Sequence, residues 1–207
     1  MGLTFERERT STELVMYALY LYFLGLSFRN TARAIRPFVD KGRSHVAVWD
    51  WVQKFNPEHI YQCRRVAAFL IDETMVQIGH NEAWLWVAVE PLHRIVLGVY
   101  ISRHRNMLVT GAFLRSLVKQ YGRRIVYSDG GPWYPEACRT LGLEHRLHSP
   151  YEKSIIERMM EYAKDRTECF DDYYPCVKQE CSLSHVYKWI DLFVFMYNST
   201  RTEGYTH

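Results

Sequence analysis

The sequence predicts an α/β fold: a mixed five-stranded sheet with flanking helices, preceded by a small all-α unit. Three observations carry this reading. Residues 11–56 place apolar side chains at helical spacing. From residue 67 to residue 101 the pattern changes to apolar runs and alternation, bounded by turn residues. Beyond residue 107, helical stretches alternate with short strands.

The N-terminal unit reads as three helices. Ser11 or Thr12 caps the first, with Leu14, Tyr17, Ala18, Leu21 and Leu24 at helical spacing, and Gly25 ends it. Ser27 caps a second helix that runs through Arg36, where Pro37 marks its end. Asp40-Lys41-Gly42-Arg43 forms a turn. Ser44 caps a third helix, with Val48 and Val52 directed inward. Two short helices joined by a tight turn, after a supporting helix, describe a helix-turn-helix. A plain three-helix bundle with a solvated basic face accounts for the pattern equally well. Between residues 29 and 54, Arg29, Arg33, Arg36, Lys41, Arg43 and Lys54 outnumber Asp40 and Asp50. Such a patch is able to neutralise phosphates.

Asn56-Pro57-Glu58 breaks the third helix, which places a domain boundary between residues 57 and 58. A linker helix from about Glu58 to Ala68 is expected next. Strands follow at Ala67–Ile78, Ala83–Val89 and Ile95–Ile101, joined by turns at Gly79–Glu82 and Glu90–Arg94. Met107–Tyr121 is a helix, Arg124–Ser128 a fourth strand, and Pro132 opens a helix to about Leu141. Glu144–His148 is a fifth strand, and helices at Tyr151–Arg166 and Ser184–Tyr197 complete the chain. An antiparallel meander followed by crossover units is the order of the ribonuclease H-like fold.

Bulk properties narrow the class. A chain of 207 residues with 48% hydrophobic content suits one sizeable domain, or a small one joined to a medium one. Its net charge of +3 does not by itself announce a nucleic-acid partner. Five cysteines, with no CxxC pair and no secretory signal, indicate reduced thiols and a cytoplasmic protein. The spacing of Cys169, Cys176, Cys181 and His185 matches no common structural zinc pattern, so ordinary packing is expected there. The apolar run from Leu14 to Leu26 is too short for a typical membrane span.

Three carboxylates stand where the predicted sheet would converge them. Asp72 ends the run Phe69-Leu70-Ile71-Asp72 on the first strand. Asp129 follows the fourth strand and precedes Gly130-Gly131-Pro132, and Glu157 lies on the helix after the fifth strand. Converging carboxylates suit a pair of Mg²⁺ ions, which activate a nucleophile and stabilise a leaving oxygen at a phosphodiester. Alternation along the strand turns Glu73 to the opposite face, so it reads as structural or solvent-facing. Glu161, one turn beyond Glu157, shares its face and is a rival third ligand. Lys164, seven residues beyond Glu157, is placed to meet a substrate phosphate or to pair with Glu161. His104 and His148 flank the predicted sheet end and read as packing or surface residues.

At these residues the sequence resembles the DDE transposases of bacterial and archaeal insertion sequences, of the IS-six or IS-240-like type. Gly25-Leu26-Ser27-Phe28-Arg29 is similar to that family's GLSYR stretch, and Val48–Phe55 to its recognition helix. Asp72-Glu73-Thr74 matches the family's DET. Ser128-Asp129-Gly130-Gly131-Pro132-Trp133-Tyr134 resembles its TDGxxxY segment, and Ile156-Glu157-Arg158 its NxVER segment. Lys164 matches the basic residue seven positions after the glutamate. Ser154 stands where the family often has Asn, and the family's Arg-Pro-His-like stretch is not recognisable in Tyr197–His207.

The resemblance implies Asp72, Asp129 and Glu157, not Glu161, as metal ligands and catalytic acids, with Lys164 beside them. It implies Mg²⁺ (or Mn²⁺) dependence, binding of terminal inverted repeats, and strand transfer within a dimer or larger multimer on double-stranded DNA. Arg43, Ser44, His45, Trp49 and Lys54 are the candidate DNA contacts, and no membrane partner is expected. Two other readings stay open: a ribonuclease H-like nuclease without strand transfer, and a transposon-derived DNA-binding protein that no longer catalyses.

Overall fold

The structure is a computed structural model that describes residues 10–58, 60–63, 65–167 and 183–202, with the backbone alone at Thr167, Ser184, His185 and Thr202. The chain divides into two compact units, Met1–Ile60 with Asp191–Met196, and Tyr61–Ile190 with Tyr197–His207. The first division thus falls three residues beyond the expected 57/58 boundary, and a short stretch of the last helix groups with the N-terminal unit.

The N-terminal unit contains α1 (Thr12–Phe23), α2 (Phe28–Ile35) and α3 (His45–Lys54). Each begins at a serine whose hydroxyl accepts a backbone N–H three residues on: Ser11 from Leu14, Ser27 from Asn30 and Ser44 from Ala47. Gly25, with φ of 119°, turns the chain between α1 and α2. Val15, Leu19, Ile35, Val48, Trp51 and Val52 are buried, so the apolar stripes close on one another. The connection from α2 to α3 is longer than the tight turn expected. A 3-10 turn at Arg36–Phe38 is followed by non-helical chain to Ser44, because Pro37 cannot continue the α2 hydrogen-bond ladder.

The expected linker helix over Glu58–Ala68 does not form. Among the described residues this segment is a turn and extended chain up to β1 (Ala68–Ile78). Its backbone finds partners elsewhere: Tyr61 O accepts from Tyr121 Oη at 2.6 Å, and Val66 O from Arg124 Nε at 2.6 Å. Helical periodicity in so short a stretch yields to those tertiary bonds.

The second unit carries β1, β2 (Asn81–Val89), β3 (Val96–Ser102), α4 (Met107–Tyr121), β4 (Ile125–Ser128), α5 (Trp133–Leu141), β5 (His145–Leu147), α6 (Pro150–Thr167) and the parts of α7 (Leu183–Thr202) outside Asp191–Met196. The sheet order is β3-β2-β1-β4-β5. β1, β2 and β3 pair antiparallel, while β4 lies parallel to both β1 and β5. The parallel pairs require crossovers, which α4 and α5 supply. Glu90 closes the β2–β3 turn: its buried carboxylate accepts the His93 N–H at 2.7 Å and faces His93 Nδ1 at 2.9 Å.

β1 runs through the centre and is buried on both faces, which explains its unbroken apolar start. Phe69 and Ile71 join Phe113, Leu114 and Leu117 of α4 and Tyr134 and Ala137 of α5 in one core. Strand alternation turns Leu70 and Asp72 to the other face, and α6 packs against β1. Among the described residues, no helix is long and apolar enough to cross a membrane.

Candidate active site

The parallel register of β1 and β4 sets Leu70 beside Tyr127, so Asp72, within β1, and Asp129, just past the end of β4, lie at the same level of the sheet. Asp72 is half-buried, and its Oδ1 accepts its neighbour Glu73's N–H at 2.9 Å. Desolvation pushes the Asp72 carboxyl up to about 6, and the charges of Glu73 and Asp129 add to that shift. The Glu73 N–H and the Arg105 charge oppose it. Asp129 is exposed, and its Oδ1 accepts the Gly131 N–H at 2.9 Å. Gly130 between them has φ of 90°, and a Cβ there would lie 2.7 Å from Leu147 Cδ2. Glycine therefore serves both the turn and the close approach of β5. Ser128 anchors the loop from beneath: its buried hydroxyl lies 2.8 Å from His145 Nε2 and accepts the Gly130 N–H at 3.2 Å.

Glu157 is carried by α6, whose first turn is held by Ser149. The Ser149 N–H donates to Glu152 Oε2 at 2.9 Å, and its hydroxyl bonds the same oxygen. Ile155, Ile156, Met159, Met160 and Ala163 form the buried stripe of this helix. Glu157 lies outside that stripe, exposed, with Lys153 Nζ at 3.7 Å. Glu161 and Lys164 are exposed on the same helix. The structure thus brings Asp72 and Asp129 together, while Glu157 lies exposed on α6. Among the described residues, no group of three His, Cys, Asp or Glu side chains is close enough to hold a metal ion. The partly desolvated Asp72 and the exposed Asp129 beside it offer the carboxylate oxygens that a hard divalent cation takes.

Glu73 differs from the solvent-facing option. It does point away from Asp72, but its side chain is buried and ion-paired to Arg105, with Tyr134 donating to the other oxygen. Sequence reading passed over Arg105 and Tyr134. The available signal was a glutamate amid apolar residues on a central strand, which requires a buried cation or donor. His104 is exposed, as its surface reading anticipates. His148 Nε2 is buried without a hydrogen-bond partner, and burial lowers that ring's pKa. Cys169, Cys176, Cys181 and the His185 side chain lie outside the described residues, as do Asp171, Asp172 and residues 203–207.

The candidate DNA contacts differ from one another in accessibility. His45 and Trp49 are exposed on α3. Ser44 accepts the cap bond of α3, Arg43 Nε donates to Thr10 Oγ1 at 2.6 Å, and Lys54 pairs with Asp50 at 2.5 Å.

A ribonuclease H-like sheet with one acid within its first strand and another just past its fourth defines the class of this domain. Residues 66–174 match the family model described as the DDE domain, of the IS240-type transposases. The chain is also 32% identical over 196 residues to the uncharacterized protein MJ0017 of Methanocaldococcus jannaschii, covering 94% of this chain and 89% of that protein. The chain belongs to the insertion-sequence DDE transposase family of the IS240 type.

Three solved structures are similar in chain trace. The catalytic core domain of BIV integrase shares 19% identity at a TM-score of 0.44, over 64% of this chain and 82% of that one. The HTLV-2 integrase catalytic core domain in complex with magnesium shares 18% at 0.39, over 46% and 64%. The simian T-cell lymphotropic virus intasome in complex with the PP2A regulatory subunit B56 gamma shares 16% at 0.48, over 87% and 65%.

Proposed function

We propose that this protein binds the terminal inverted repeats of an insertion sequence and catalyses metal-dependent DNA cleavage and strand transfer. Residues 1–57 would hold the element ends, with the exposed His45 and Trp49 of α3 toward the DNA and the basic residues between 29 and 54 against phosphates. Residues 58–207 would carry the chemistry. The observation that carries this reading is the adjacency of Asp72, within β1, and Asp129, just past the end of the parallel strand β4, in a chain whose residues 66–174 match the DDE domain.

Asp72 and Asp129 would hold Mg²⁺, or Mn²⁺ in its place, and Glu157 would complete a second position when DNA is bound. The bound metal supplies activation of the attacking oxygen and stabilisation of the leaving oxygen. Lys164 is the family's basic residue and would meet a substrate phosphate. In the first step water attacks the phosphodiester at the element end, and the bond to the 3′ oxygen breaks to leave a free 3′-hydroxyl. In the second step that hydroxyl attacks a target phosphodiester, forming a new ester and releasing the target's own 3′-hydroxyl. Two ends must be handled at once, which calls for a dimer or larger multimer on double-stranded DNA.

The test uses duplexes bearing the inverted repeats that flank the gene, with a supercoiled target plasmid and Mg²⁺. The unaltered chain should join ends to target, and Asp129→Ala should bind ends without joining them. Joining by Asp129→Ala would show the assignment to be wrong.

A further inference from the structure

An ion pair with a buried carboxylate and a partly exposed guanidinium lies directly behind the acid pair. Glu73 neighbours Asp72 on β1 but faces the opposite side of the sheet, and its side chain is fully buried. Arg105, in the loop between β3 and α4, donates to Glu73 Oε1 through both Nε and Nη2, each at 2.7 Å. Tyr134 of α5 donates its hydroxyl to Oε2. The guanidinium is also clamped between two indoles, 4.5 Å from the ring centre of Trp84 and 4.3 Å from that of Trp133. Its loop is pinned in turn: Trp86 Nε1 donates to Ser102 Oγ at 3.0 Å, and Ser102 Oγ to His104 O at 2.7 Å.

This arrangement is more than a fastening of β1 to α5. Burying the Glu73 carboxylate costs in desolvation much of what its pairing gains, and well-packed apolar residues would hold the two elements as firmly. Apolar residues would not place a fixed cation and its counterion beside two further carboxylates. The Arg105 charge acts on Asp72 as well as on Glu73, and Glu73 in turn acts on Asp72. Trp133, which clamps the guanidinium, follows the Asp129 loop and packs on Gly131. The pair is therefore coupled to both acids, by charge to one and by packing to the loop of the other.

We infer that Glu73 and Arg105 form a charge-balancing pair that positions the acid site: its electrical neutrality sets the divalent-cation affinity of Asp72 and Asp129. The inference rests on the reading that these two aspartates hold the metal. Glu73 and Arg105 are positioning residues and do not touch DNA. Removing the negative partner leaves an unbalanced cation that opposes an incoming divalent ion. Removing both charges restores neutrality.

The experiment is a Mn²⁺ titration of the full chain, read by electron paramagnetic resonance, with thermal melts on every variant. Glu73→Gln should weaken Mn²⁺ binding about tenfold, on the order of 1.4 kcal/mol. Glu73→Gln combined with Arg105→Gln should return to within about twofold of the unaltered chain, which a purely structural pair would not do. Arg105→Lys keeps the charges balanced and loses the fork and the stacking, so it should also stay within about twofold. A Glu73→Gln protein that binds as the unaltered chain does, or a double variant no better than Glu73→Gln, overturns the inference. Arg105→Lys as weak as Glu73→Gln overturns it too, and remains informative if Glu73→Gln fails to fold. Loss of binding in Asp72→Asn with unchanged binding in Glu73→Gln removes the pair's role and keeps the metal reading. No binding by the unaltered chain removes both.

Discussion

Asn198 pairs with both backbone groups of Val96: the Val96 N–H donates to Oδ1, and Nδ2 donates to the Val96 carbonyl, each at 2.9 Å. β3 is an edge strand, so Val96 has no strand neighbour on that side. The amide of Asn198, 102 residues later and itself buried, takes the place of a neighbouring peptide. Asn198→Ala would leave a buried N–H and C=O unpaired. We expect a loss of about 2–3 kcal/mol and a fall in Tm of roughly 5–10 °C by circular dichroism. An unchanged melt would mean that the edge is satisfied otherwise.

The raised Asp72 carboxyl makes metal-free stability depend on pH. A folded-state pKa of about 6, against an ordinary aspartate value of 3.8, means that the fold favours the protonated form. Stability is then full below about pH 4 and declines as pH rises through about 6, by up to about 3 kcal/mol. Asp72→Asn should flatten that decline and be the more stable protein at pH 7 in EDTA, while losing activity. Urea unfolding between pH 4 and 7.5 decides it, and parallel profiles for the two proteins would refute the prediction.

Asp129→Asn and Glu157→Gln should each lower strand transfer by on the order of 10³-fold or more. End binding in a gel-shift assay should stay within about twofold. Both side chains are exposed, so the melting temperature should move by no more than the equivalent of about 0.5 kcal/mol. Glu157→Gln with full strand transfer would remove Glu157 from the site and return Glu161 to consideration.

On α3 the candidate contacts should separate into two behaviours. Ser44→Ala removes the hydroxyl that accepts the Ala47 N–H, and should cost about 1 kcal/mol of stability. Trp49→Ala and His45→Ala alter exposed side chains, and should weaken end binding severalfold with little change in the melt. Lys54 is paired with Asp50, so Lys54→Ala should shift the slope of log affinity against log salt by less than about one phosphate. End binding that survives loss of both Trp49 and His45 would place the DNA on another face.

Local patterns carried most of the element order. Serine caps mark the starts of α1, α2 and α3, and the bounds expected for α4 are those observed. The turns at Gly79 and Glu90 separate the strands where expected. Where the reading failed, the deciding partners were distant. The stretch from 58 to 68 has helical composition, yet Tyr121 and Arg124 take its carbonyls.

The sequence by itself determined the placement of the three acids on strand one, after strand four and on the helix after strand five. Those positions follow from periodicity and turn chemistry, which are local. Only the tertiary structure decided which acids share a neighbourhood. Asp72 meets Asp129 because β1 and β4 pair in parallel, a register between segments 57 residues apart. Glu73 becomes a buried, paired carboxylate because the loop carrying Arg105 folds back over Trp84 and beside Trp133. Charge and burial at a site depend on what packs against it, and that is written in no single stretch of the chain.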